Sequence, residues 1–148
     1  MAEEYGAGTV KYLIFTVREK RYAVPSNLIG EVTVLDKVFP LPLVPAYVRG
    51  IINRYSVPYA LVDIGFFLMK SPSLSAKVLV LKEEVDKLAF LIDDVTDFAD
   101  IAPAEILKID AEETDADVIS GSFEWKDGLV FRLEVRELIN RIAQDFTR

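Results

Sequence analysis

The chain has 148 residues, 51% of them hydrophobic, which is one domain's length with enough apolar material for a core. It contains no Cys and no His, which removes disulfides, thiolate nucleophiles, sulfur-ligated zinc and the commonest general base. A net charge of −7 argues against nucleic acid as a partner, and no apolar run reaches the about 18 residues of a membrane-spanning helix, so no direct membrane insertion is expected.

The first nine residues read as a loose tail. The opening Met1-Ala2-Glu3-Glu4 is acidic, where a secretory signal is basic and then apolar, so a cytoplasmic location is expected. Val and Ile together are as numerous as Leu and Ala together, and that β-branched share predicts a mostly β fold.

Residues 12–17 (Tyr12-Leu13-Ile14-Phe15-Thr16-Val17) read as a buried strand, with a charged turn at Arg18-Glu19-Lys20-Arg21 and a return along Tyr22-Ala23-Val24-Pro25. Ser26-Asn27 can cap a short helical turn with Leu28, Ile29 and Val32 on its inner face. Residues 33–39 are extended, and Pro40, Pro42 and Pro45 make 41–44 a rigid, non-helical connection. Residues 48–53 and 57–64 form a second hairpin, with Pro58 expected near a strand end or edge, where its missing N–H does no harm. A helical turn follows at 65–69 and a linker at 71–75.

The second half opens with strands at 77–81 and 88–92 around the Glu83-Glu84-Val85-Asp86 turn. An acidic stretch leads to strands at 121–125 and 129–135, which turn at Lys126-Asp127-Gly128. A helix closes the chain at 136–142, with Leu138 and Ile142 on one face.

The two halves resemble each other. A shift of 66 residues places Leu13-Ile14-Phe15 on Leu79-Val80-Leu81, Tyr22-Ala23-Val24 on Leu88-Ala89-Phe90, and Ile29, Glu31 and Val32 on Val95, Asp97 and Phe98. With a short insertion, Leu61-Val62-Asp63-Ile64 faces Arg132-Leu133-Glu134-Val135. The shared order predicts two similar five-stranded subdomains, 10–70 and 76–142, that share a core face.

No chemical motif survives inspection. The glycines fit neither phosphate-binding pattern. The window 93–117 holds ten acidic residues and one basic, Lys108, which reads as a solvated acidic face or as a docking surface for a basic partner. Asp115-Ala116-Asp117 starts like a calcium loop but lacks its later ligands, with Lys126 where the closing Glu belongs. Asp63 and Asp93 each end a strand, where a lone carboxylate is usually a turn cap or a hydrogen-bond acceptor. Neither has a partner base, nucleophile or oxyanion donor in view, so no catalytic residue, cofactor or metal site is assigned.

The motifs nevertheless carry a resemblance. The segments 12–17, Tyr22-Ala23-Val24-Pro25 and Leu28-Ile29-Gly30-Glu31-Val32 begin it. The most specific part is Pro45-Ala46-Tyr47-Val48-Arg49-Gly50-Ile51-Ile52-Asn53, followed by the strand ending at Asp63 and by Ala89-Phe90-Leu91-Ile92-Asp93-Asp94-Val95. Together they resemble a CheW-like domain, the coupling module of bacterial chemotaxis, from about residue 10 to 142 and so across one domain of 1–148. The resemblance implies two SH3-like five-stranded β-barrel subdomains with short helical turns and a C-terminal helix. It implies a non-enzymatic adaptor or scaffold, a monomer when free, which couples chemoreceptors (methyl-accepting chemotaxis proteins) to a CheA-type histidine kinase and is recruited to membrane-associated receptor arrays.

It further implies two contact sets. Asn53, Arg54, Tyr55, Ser56 and Tyr59 would meet the kinase regulatory domain, and Leu28, Glu31 and Val32 the helical tip of the receptor. One departure is plain: where the family has Asn-Leu-Arg-Gly, this chain has Asn53-Arg54-Tyr55-Ser56. Tyr47, Tyr55 and Tyr59 have two readings, barrel packing or partner contact. Two alternatives stay open: a divergent scaffold of the same fold in another two-component pathway, and a small ligand-binding or carboxylate-dependent enzyme.

Overall fold

A computed structural model describes residues 8–109 and 118–146. The tail residues 1–7 and the aborted calcium loop at Asp115 and Asp117 lie outside the described residues.

Among the described residues, ten strands and two α-helices follow in chain order. They are β1 (Val10–Val17), β2 (Lys20–Pro25), β3 (Ile29–Val34), β4 (Val48–Arg54), β5 (Val57–Asp63), α1 (Ile64–Met69), β6 (Lys77–Leu81), β7 (Leu88–Ile92), β8 (Asp94–Ile101), β9 (Ile119–Trp125), β10 (Gly128–Leu133) and α2 (Val135–Phe146). The mostly β expectation holds, and the strands form two five-stranded sheets, ordered β9-β10-β2-β1-β8 and β3-β6-β7-β5-β4.

The sheets do not follow the division of the chain into 10–70 and 76–142. The second sheet takes the continuous stretch from β3 to β7, while the first combines the β1–β2 hairpin with β8, β9 and β10. Under the internal repeat, β1–β2 corresponds to β6–β7, so the two halves have exchanged their leading hairpins. The exchange keeps every local register, because each hairpin stays intact and only its neighbour changes. It also explains the one parallel pairing in each sheet, β10 with β2 and β5 with β7. Parallel neighbours need a long connection, and strands from opposite halves have one.

The repeat is real at finer detail. Phe39 bridges Ile51 beside Gly50, and Leu107 bridges Ser122 beside Gly121. A β-bulge sits at each place, between Val48 and Gly50 and between Ile119 and Gly121.

The strands read as apolar on both faces because both faces are buried. On β1, Leu13, Phe15 and Val17 enter a core common to both sheets, while Tyr12 and Ile14 enter a second core on the sheet's other face. On β6, Leu79 and Leu81 enter the common core, while Val78 and Val80 enter a third one. Each buried Leu, Ile or Phe contributes about 1.5–3 kcal/mol, so the common face holds the sheets together. The shared core face expected from the sequence is present.

Local departures have local causes. Ser26 does not cap a helical turn through its side chain; residues 26–28 form one 3-10 turn, and the chain is extended again from Ile29. The acidic stretch contains strand β8, which the apolar count missed because its exposed row is Asp94, Thr96, Phe98 and Asp100. Helix α2 starts one residue earlier and ends four later than its apolar spacing indicates. Its Leu138 and Ile142 enter the common core, and Asp145 accepts a 2.6 Å hydrogen bond from the Tyr47 hydroxyl.

Candidate interaction site

Strands β3 and β4 are opposite edges of the second sheet, yet their side chains meet. Arg54, the last residue of β4, donates from Nε at 3.2 Å and from Nη2 to the Glu31 carboxylate on β3. Both side chains are about three-quarters buried, and the hydrogen bond to Glu31 raises the already high Arg54 pKa. A forked guanidinium on a carboxylate is among the stronger polar contacts available to a surface.

The pair stands between two depressions. One, of about 230 Å³, is lined by Val34, Leu35, Phe39, Ile52, Asn53 and Arg54 among others. The other, of about 280 Å³, lies under Tyr55 and Tyr59 and against the β6–β7 hairpin at Lys82, Glu83 and Glu84. Tyr59 is only 6% exposed. Its phenol is pushed up by burial, with the Glu83, Glu31 and Glu84 carboxylates adding to the effect.

The β4–β5 turn is tight. Tyr55 and Ser56 are its two central residues, with φ of 53° and 69°. Two positive φ angles in succession are the hairpin geometry that favours Asn-Gly, because a side chain there is crowded by its own backbone. Tyr55 occupies this costly position while its ring stands 86% exposed, with the Arg54 guanidinium 5.3 Å from the ring centre. The same paired geometry recurs at Arg18-Glu19 and Lys126-Asp127, but only this turn carries an aromatic.

The structure regroups the residues named from sequence. Glu31, Arg54, Tyr55 and Tyr59 gather around one depression, with Ser56 in the turn and Asn53 on the adjoining one. Glu31 and Arg54, read as contacts for different partners, are each other's partner. Leu28 packs against the common core instead, and its carbonyl accepts from the Lys82 N–H at 2.9 Å. Val32 alternates to the face opposite Glu31 and is 42% exposed, so it is not the buried residue of a capped turn. The three tyrosines divide: Tyr47 and Tyr59 are buried, and Tyr55 faces solvent.

Lys82, Glu83 and Glu84 were missed from sequence. They reach the site because β3 pairs with β6 in the register Ile29 to Leu81 and Glu31 to Val80, a pairing no local pattern announces.

The two strand-end carboxylates are hydrogen-bond nodes, as their position suggested. Asp63, 1% exposed, accepts from the Phe66 N–H at 3.0 Å, the Ser73 N–H at 2.9 Å and Arg49 Nη2 at 3.2 Å. It thereby fixes the end of β5, the start of α1 and the 71–75 linker to one another. Asp93 accepts from the Arg18 N–H at 2.7 Å. On the acidic strand β8, Asp94 and Asp97 are held below the usual carboxylate range by hydrogen bonds from Lys77 and Lys126, at 2.8 and 2.7 Å. Part of the acidic face is thus neutralised within the molecule.

Comparison with known proteins accords with this architecture. The chain resembles the crystal structure of the scaffolding protein TtCheW from Thermoanaerobacter tengcongensis, with a TM-score of 0.79 over 91% of this chain and 90% of that one, at 15% sequence identity. At that identity the likeness speaks for the fold. No curated protein matches the chain. The family model described as the CheW-like domain matches residues 11–143, nearly everything the strands and α2 span, and the chain belongs to that family.

Proposed function

We propose that the protein is a chemotaxis adaptor that couples chemoreceptors to a CheA-type histidine kinase by protein–protein contact, without catalysis of its own. In this reading each sheet is one of the family's five-stranded barrels, and the protein is a cytoplasmic monomer when free, recruited to receptor arrays at the membrane. The kinase regulatory domain docks on the β4–β5 turn: Asn53, Arg54, Tyr55, Ser56 and Tyr59, with Glu31 joined to them through Arg54. The receptor's helical tip takes the other side of β3, where Val32 is exposed and Leu28 lies at the seam of the sheets.

The observation that carries this reading is Tyr55. A protein that keeps an aromatic ring both exposed and on a left-handed backbone position gives up stability twice, and strained, exposed residues concentrate where partners bind. The test is titration calorimetry with the regulatory domain of a CheA-type histidine kinase from the same organism. Tyr55→Ser should weaken binding at least tenfold, the loss of about 1.4 kcal/mol or more typical of an interface anchor, with the melting temperature unchanged or higher. Equal affinity for wild type and variant would remove the turn from the interface.

A further inference from the structure

Beside the Glu31–Arg54 pair, the larger depression is lined by the half-buried Val57 and by Tyr59, Lys82, Glu83 and Glu84 among others. We propose that it is a socket for one basic side chain, lysine or arginine, of the protein that docks on this face. The inference rests on the adaptor reading for the identity of the partner, but not for the chemistry of the socket.

Tyr59 supplies the first argument. Although nine-tenths buried, it lines the depression, and its hydroxyl makes no hydrogen bond among the described residues. The hydroxyl is not sealed from solvent, because the one buried side-chain polar atom without a partner among the described residues is the Trp125 indole nitrogen. A solvent-reachable hydroxyl that lines a depression and has no protein partner is free to donate to or accept from a ligand.

Charge supplies the second. Glu31 is taken by Arg54, while Glu83 and Glu84 form no ion pair among the described residues. Lys82 lines the same depression, so two carboxylates face one resident ammonium. That leaves an excess of negative charge around the depression that Tyr59 lines, and these carboxylates add to the effect of burial, the larger cause, in raising its pKa.

The lack of a multi-carboxylate cage among the described residues and the half-buried Val57 decide the class of cation. A hard metal ion needs six or more oxygen ligands, and no group of acidic residues able to hold a metal occurs among the described residues. A long side chain differs: its methylene stem lies along the half-buried Val57 while its charged head reaches the carboxylates. The uncovered face of the Tyr55 ring at the mouth is a further surface for a cation.

The test uses the whole chain, labelled with 15N and titrated at low salt with N-acetyl-arginine amide, and separately with N-acetyl-citrulline amide, its uncharged isostere. A socket gives saturable shifts at Gly30, Glu31, Val57, Tyr59 and residues 82–84 with the arginine compound only. Glu83→Gln with Glu84→Gln should weaken that binding at least fivefold. Tyr59→Phe, which keeps the ring, should weaken it about twofold or more. Equal shifts with the citrulline compound, non-saturating shifts, or shifts spread evenly along β8 would each overturn the proposal. A chain that binds the arginine compound but not the kinase regulatory domain loses the adaptor reading and keeps the socket. A chain that binds the domain but not the arginine compound loses the socket and keeps the adaptor reading.

Discussion

Asp63→Ala should lower the unfolding free energy by about 3 kcal/mol, or about 6–12 °C in melting temperature for a chain of this length. The carboxylate is buried, and two backbone N–H groups depend on it, those of Phe66 and Ser73. Its removal uncaps α1 and orphans a buried donor in the linker, each a loss of about 1 kcal/mol or more. Arg49 also loses its ion pair, but it is partly exposed and water can replace that contact. Asp63→Asn should recover only a fraction. One of its two oxygens accepts from Phe66 and the other from Ser73 and Arg49, so an amide must turn its NH₂ toward one set of donors. Thermal unfolding of both variants measures this. A loss below about 1 kcal/mol for Asp63→Ala would show that solvent satisfies these groups and that the node is not structural.

Gly50→Ala should cost about 3 kcal/mol, for two reasons that add. The backbone at Gly50 has φ of 143°, a region side chains rarely adopt. An added Cβ would also overlap the Phe39 carbonyl and come within 3.0 Å of the Pro40 Cα, both main-chain atoms that cannot rotate away. The segment that must retreat is held by two 2.8 Å hydrogen bonds between Phe39 and Ile51, so hydrogen exchange at these two amides should quicken along with the loss of stability. Gly121→Ala is the internal control. A Cβ there meets the Ile106 Cγ2 methyl at 2.6 Å and the Leu107 carbonyl at 2.9 Å, but its φ is not in the left-handed range, so the cost should be smaller. Equal costs at both glycines would mean that the backbone conformation of Gly50 contributes nothing.

Much of this was legible in the sequence. Hairpins were visible because their registers are local, and the duplication was visible because hairpin, single strand, link and hairpin recur in order. Asp63 was legible as a cap because it ends an apolar strand before a short helical segment. The exchange of leading hairpins was not, because it substitutes one copy for the other with the same apolar alternation, and the sequence pattern is identical either way. Glu31 and Arg54 were each noticed but assigned to different surfaces. Twenty-three residues separate them in the chain, and only the close approach of two sheet edges makes them a pair. Glu83 and Glu84 looked like an ordinary charged turn. Their place beside Tyr59 depends on the β3–β6 pairing, which is set by tertiary packing.

That the Glu31–Arg54 pair joins residues first read as belonging to two interfaces sharpens the test of coupling. An adaptor must hold both partners at once. The direct measurement is the mass of the complex in solution, by sedimentation equilibrium, for an equimolar mixture of this protein, the kinase regulatory domain and a soluble receptor helical-tip fragment. Coupling requires one species with the summed mass of all three, and Tyr55→Ser should release the kinase domain while leaving the receptor fragment bound. If the kinase domain and the receptor fragment instead displace each other, the two surfaces coincide and the protein cannot bridge them.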